Sequence, residues 1–292
     1  MKKNEECCSS PIVRPEYLFT DPPCAPDTPM ESLSSYGSLD FVSHGSHLYG
    51  QIMWPDASFS KPRPCVIMFH GYPGTARHDD ILHALVRIGC VTVSPHHRGA
   101  WGSEGKYLVT NCIEDAMALA EYVHGEEFCK QYNVDPDRIY IMGHSMGGNT
   151  SIHTGAALPW LRGIILLAPF DPTYFVRHNR MDDQMFVLRD GYPLHWDGVE
   201  SVCRNIDENL EAMVFDDDLA KLAASNRNVL CIVGDADIIA PPGDMVKPIW
   251  DRVWSPEHPN FRPLLVLHTD HDLFGQRVRA TKAIADFICE TV

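Results

Sequence analysis

The sequence has no run of about 18 or more apolar residues, so it offers no segment for a transmembrane helix. No apolar stretch follows Lys2 and Lys3, so the amino terminus does not read as a secretory signal. Basic residues are the minority. The 24 Lys and Arg stand against 39 Asp and Glu, a formal net charge of −15. That balance argues against nucleic acid or an anionic membrane as partner, because both need a basic face. No Cys-x-x-Cys pair occurs, so the usual sign of a zinc site is missing. No metal and no cofactor are expected.

Cysteine itself is not scarce, with ten residues. Cys65, Cys90 and Cys231 sit beside Val or Ile in apolar runs, where a free thiol behaves as a small hydrophobe. With no secretory signal, this usage predicts a reduced, cytoplasmic protein. Cys7, Cys8 and Cys24 fall in a Pro-rich arm and are expected to be exposed.

The 292 residues, 45% of them hydrophobic, suffice for one large domain with an insertion. Residues 1–37 lack periodicity and predict an arm that is irregular or packs over the body. Leu39–Trp54 reads as an antiparallel hairpin around His44-Gly45-Ser46. Apolar runs then alternate with helical patterns. The runs are Cys65–Phe69, Cys90–Ser94, Ile139–Met142, Gly163–Ala168, Val229–Val233 and Leu264–Leu267. Helices are expected over about 76–88, 111–130, after residue 149, near 244–252 and over 273–289, with a turn at Asp135-Pro136-Asp137. Continuous apolar strands joined by helices predict a mostly parallel sheet of eight strands covered on both faces. The alternation stops over 169–226, a stretch too long for a loop, which predicts a helical insertion. It divides the core into 38–168 and 227–292.

One stretch carries chemistry. Gly143-His144-Ser145-Met146-Gly147 lies between an apolar strand and a helix start, the context that Gly-x-Ser-x-Gly requires. Small neighbours let strand and helix pass close to the serine. Two later strand ends carry Gly234-Asp235-Ala236-Asp237 and His268-Thr269-Asp270-His271. Open α/β sheets place their sites at such carboxyl ends.

On these motifs, with the loop His70-Gly71-Tyr72-Pro73-Gly74, the chain resembles the α/β-hydrolases over about residues 38–292. The loop His97–Gly105 is similar to that of members with an acyl-aminoacyl-peptidase-type catalytic domain, here expected without a propeller. Epoxide hydrolases and dehalogenases share the His-Gly-x-Pro loop but carry an aspartate at the elbow, so Ser145 implies acyl transfer.

The resemblance implies a role for each residue. Ser145 is the nucleophile and His271 the base that activates it. Asp237 orients the imidazole, with Asp235 and Asp270 as alternative acids. His268 is the alternative base. His96, His97 and His144 fall near the expected site. The backbone N–H groups of Tyr72 and Met146 are the expected oxyanion donors. The insertion would form a lid with an apolar pocket. The expected activity is cleavage of a small-molecule carboxylic ester through an acyl-enzyme. An aminopeptidase or acyl-peptidase would need a carboxylate at the site, for which Asp182, Asp183, Asp216, Asp217 and Asp218 are candidates. A thioesterase and a non-catalytic ligand-binding homologue are further alternatives. A monomer and a homo-oligomer both remain open.

Overall fold

The structure, a computed structural model, describes residues 11–292. Cys7 and Cys8 lie outside the described residues. An eight-stranded sheet runs through the molecule. Its strands are β1 (Ser35–Ser43), β2 (Ser46–Trp54), β3 (Arg63–Phe69), β4 (Val91–Pro95), β5 (Val134–His144), β6 (Gly163–Leu167), β7 (Val229–Gly234) and β8 (Leu265–Leu267). The spatial order is β1-β2-β4-β3-β5-β6-β7-β8. The hairpin β1–β2 is antiparallel, and β2 joins β4 antiparallel. Every later pairing is parallel.

The apolar runs have a physical explanation in the two layers they serve. Cys65, Ile67, Phe69, Ile139, Ile141, Ile164, Leu166, Cys231 and Val233 point into one core. Their neighbours Val66, Met68, Tyr140, Met142, Ile165, Leu167, Leu230 and Ile232 point into the other. Side chains alternate across a strand, so a strand covered twice must be apolar at every position. The first core is closed by α2 (Val109–His124), α3 (Glu126–Tyr132), α4 (Met146–Ala157), α9 (Asp216–Ala224) and α10 (Lys247–Val253). The second is closed by α1 (Asp79–Arg87) and α11 (Arg277–Thr291). The arm joins this face, with Val13 and Leu18 buried and Arg14 N–H donating to the Ile88 carbonyl at 2.8 Å.

Several boundaries differ from those the sequence suggests. The helix expected over 111–130 is two, broken at Gly125, whose extended backbone (φ −62°, ψ 147°) ends α2 and starts α3. Asp135-Pro136-Asp137 lies within β5 rather than before it. The pairing with β3 shifts register there, and Asp135 Oδ1 accepts from Asp137 N–H at 3.0 Å, so a turn-like kink sits inside the strand. The last helix begins at Arg277, after a short 3₁₀ turn at Phe274–Gln276.

Between β6 and β7 come α5 (Tyr174–Arg177), α6 (Met181–Val187), α7 (Val199–Glu208), α8 (Leu210–Met213) and α9. Phe175, Leu188, Val202, Cys203, Ile206 and Met213 form a third core with Tyr107 and Met146. Phe215 and the α9 residues Leu219, Leu222 and Ala223 instead belong to the first sheet core. The insertion is stitched to the Gly-rich loop, where His195 and Gly99 share a 2.6 Å N–H···O bond and Tyr107 N–H donates to His195 at 2.9 Å. Among the described residues no helix is long and apolar enough to cross a membrane.

Candidate active site

Strand β5 delivers Ser145 to the sheet's carboxyl edge, and α4 starts immediately after it. Ser145 holds φ 54° and ψ −118°, a conformation that costs a non-glycine residue about 1–3 kcal/mol. The surroundings over-determine it. Its N–H donates to Leu167 at 2.9 Å, and its carbonyl accepts from Gly148 at 2.9 Å and Phe170 at 3.0 Å. The flanking glycines are needed for close approach. A Cβ at Gly143 would collide with the Gly147 carbonyl, and one at Gly147 with the Phe69 carbonyl.

The turns after β7 and β8 meet beside this serine. The Asp237 side chain is fully buried. Its Oδ1 accepts backbone N–H bonds from Ile239 and Ala240, each 2.8 Å. Its Oδ2 lies 2.7 Å from His271 Nδ1. Asp235 turns the other way and pairs with His268 at 3.0 Å, on a surface where the His268 side chain is 90% exposed. Asp270 Oδ1 accepts from Phe274 N–H at 2.8 Å, which closes its own turn. The geometry therefore joins Asp237 to His271 and leaves Asp235, Asp270 and His268 elsewhere.

A cavity of about 170 Å³ opens over Ser145, with Tyr72, Met146 and His271 in its wall. Among the described residues, neither Tyr72 nor Met146 gives its backbone N–H to another group. His271 bonds through Nδ1 and its carbonyl, and no hydrogen bond joins its ring to the Ser145 hydroxyl.

Five histidines pack beneath the loops. His144 Nε2–H donates to the His271 carbonyl at 3.0 Å, and its ring lies 4.7 Å from that of His271 and 4.4 Å from that of His78. His97 and His70 meet edge to face at 4.5 Å, with His96 5.8 Å from His70. Burial pushes His70, His78 and His96 down to about 3 and His97 to about 4, and holds His144 well below its ordinary value. All five are neutral near pH 7. Trp101 is not in the cavity wall; its indole N–H holds the Pro73 carbonyl at 2.8 Å.

The family model described as serine aminopeptidase, S33, matches residues 60–286. The chain belongs to the serine aminopeptidase (S33) family. It is similar to monoglyceride lipase of Mus musculus, 28% identical over 129 residues. That match covers 43% of this chain and 40% of the lipase. Probable carboxylesterase 3 of Arabidopsis thaliana is 25% identical over 121 residues, 36% of this chain and 37% of the other. The chain thus spans about two fifths of the length of the curated relatives it matches.

Among solved structures, brefeldin A esterase superposes with a TM-score of 0.63 at 19% identity, covering 92% of this chain and 80% of the other. Est1E from Butyrivibrio proteoclasticus gives 0.61 at 18%, covering 87% and 98%. A putative dipeptidyl aminopeptidase IV from Bacteroides ovatus gives 0.66 at 16%, covering 89% and 36%. At these identities the likeness is one of fold, and the fold of this S33 family member is that of the α/β-hydrolases.

Phe170, an aromatic residue of the stretch expected to supply an apolar pocket, lines the cavity. Sequence reasoning did not find the rest of the wall. Ile239 lines it and follows a strand end, a signal that was available. Val187, Leu188 and Asp190 reach it from the insertion, and Asp272 from beside His271. The acidic candidates proposed from sequence do not line it. Asp183 pairs with Arg180, Asp216 with Arg252 and Arg177, and Asp218 with His153. Among the described residues no cluster of three or more His, Cys, Asp or Glu is arranged to hold a metal ion.

Proposed function

We propose that the protein is a serine hydrolase that cleaves a small-molecule carboxylic ester through an acyl-enzyme. The observation that carries this reading is the 2.7 Å Asp237–His271 pair, whose histidine lines the same cavity as the strained elbow serine. A hydroxyl is a poor nucleophile at neutral pH and needs a base that titrates nearby. Ser145 Oγ attacks the ester carbonyl while His271 Nε2 takes its proton. The same imidazolium then returns that proton to the departing alcohol oxygen. Water repeats the sequence on the acyl-serine and releases the acid. The free N–H groups of Tyr72 and Met146 receive the oxyanion, and each such donor typically contributes about 3–4 kcal/mol to the transition state. The missing Ser145–His271 bond suits a base and nucleophile that tighten together only around substrate.

The names of the sequence relatives, a lipase and a carboxylesterase, support ester over peptide cleavage. The insertion over residues 169–226 acts as the lid in this reading, because Val187 and Leu188 roof the cavity. The eight cysteines among the described residues are free thiols, in keeping with a reducing compartment such as the cytoplasm.

The aminopeptidase reading has two observations in its favour: the description of the family model as serine aminopeptidase, and Asp190 and Asp272 in the cavity wall, placed to face a substrate ammonium. Purified protein assayed on p-nitrophenyl esters beside aminoacyl-p-nitroanilides decides between them. Ester turnover that Ser145→Ala abolishes is the expected result. Anilide turnover exceeding it would favour the peptidase.

A further inference from the structure

Tyr72 belongs to the loop after β3, yet its hydroxyl donates to the Leu188 carbonyl in the insertion, 116 residues away. Its ring stands edge-on to Tyr107 at 5.5 Å and tilts against Trp196 at 6.2 Å. The segment after Leu188 is pressed onto the same side chain. A Cβ at Gly191 would collide with both the Tyr72 hydroxyl and the Trp196 indole. The roof residues Val187 and Leu188 are therefore clamped to the floor loop that holds Tyr72 and Gly71.

The clamp has a consequence for size. The cavity over Ser145 is about 170 Å³. Pockets for drug-sized ligands run to about 300–1,000 Å³. Its apolar wall is built from Met146, Phe170, Val187, Leu188 and Ile239, and its charged side chains are the carboxylates Asp190 and Asp272.

We infer that the Tyr72–Leu188 hydrogen bond sets the substrate range: it holds the roof low, so the site takes esters of short carbon chains and turns longer ones away. Tyr72 is thereby a specificity-determining residue through its side chain, apart from its backbone N–H. The inference rests on the serine hydrolase reading above and deepens it.

The test is a p-nitrophenyl ester series from acetate to dodecanoate on the full chain and on two variants, Tyr72→Phe and Gly191→Ala. The first removes the donor; the second keeps it and forces the roof away by bulk. For the wild type, kcat/KM should peak at acetate or butyrate and be at least about 10-fold lower at octanoate. Each variant should raise its octanoate-to-acetate ratio by about 10-fold, a ratio that a general loss of activity does not move. A wild-type profile that climbs to octanoate, or a ratio unchanged in a variant, overturns the inference. Labelling by a fluorophosphonate probe, with Ser145→Ala as control, keeps the two readings apart. Labelled protein with an unmoved ratio sinks only the clamp, whereas wild type that does not label at Ser145 sinks the serine hydrolase itself.

Discussion

Asp237 and His271 meet at 2.7 Å across 34 residues, while Asp235, two residues from Asp237, pairs with a different histidine. The other Asp237 oxygen is already committed to the Ile239 and Ala240 N–H groups. An asparagine there must keep its oxygen on those donors, so its NH₂ faces His271 Nδ1. That nitrogen then has to accept, which moves the ring proton to Nε2, where a base cannot carry it. Asp237→Asn should lower kcat by about three to four orders of magnitude with the fold retained. Asp235→Asn, which touches only an exposed histidine, should stay within about 2-fold. Steady-state kinetics of the two purified variants checks both, and the reverse ranking would reassign the acid.

Ser145→Ala should abolish ester turnover and fluorophosphonate labelling. It also swaps one non-glycine residue for another at φ 54°, so stability should change by less than about 1 kcal/mol. Full activity in this variant would remove the nucleophile assignment.

His144 ties strand β5 to the loop of His271 through the 3.0 Å bond to the His271 carbonyl. His144→Phe deletes that donor and lets the base drift from Ser145. The expected loss in kcat lies between about 5-fold and 100-fold, with KM little changed. His144→Gln, which keeps an N–H, should recover part of it. Little or no loss in His144→Phe, with the larger loss in His144→Gln, would mean that the ring matters only as packing.

Acid should unfold the protein early. Histidines 70, 78, 96 and 97 have ordinary values of 6.5 that burial lowers to about 3 or 4. Below pH 6.5 the unfolded chain binds protons on these rings, and the folded chain does not until the pH nears 4. Their neutral forms therefore stabilise the fold fully above pH 6.5. That stability is lost as the pH falls from about 6.5 toward 4, at up to about 1.4 kcal/mol per pH unit for each ring. Urea unfolding at pH 7.5, 6 and 5 reads the slope. A midpoint independent of pH across this window would contradict the neutral, buried state.

What the chain determined by itself is what local chemistry can encode. Strands buried on both faces read as unbroken apolar runs because successive side chains serve different cores. The elbow is legible because only glycine fits at positions 143 and 147, where backbones nearly touch. The order of Ser145, Asp237 and His271 on strand ends was visible too, since a parallel sheet sends those ends to one edge. The tertiary structure decided which groups meet there. Asp235 and Asp237 are the same residue type in the same turn, and only the folded turn after β7 brings one to the exposed His268 and the other to His271. The acidic runs at 182–183 and 216–218 look like better site candidates than the single Asp190 or Asp272, yet none of them lines the cavity, and Asp183, Asp216 and Asp218 spend their charge on Arg180, Arg177, Arg252 and His153. Packing likewise draws Phe215 and α9 out of the insertion's core into that of the sheet. It also brings Tyr72 under Leu188, a contact that no spacing in the sequence announces.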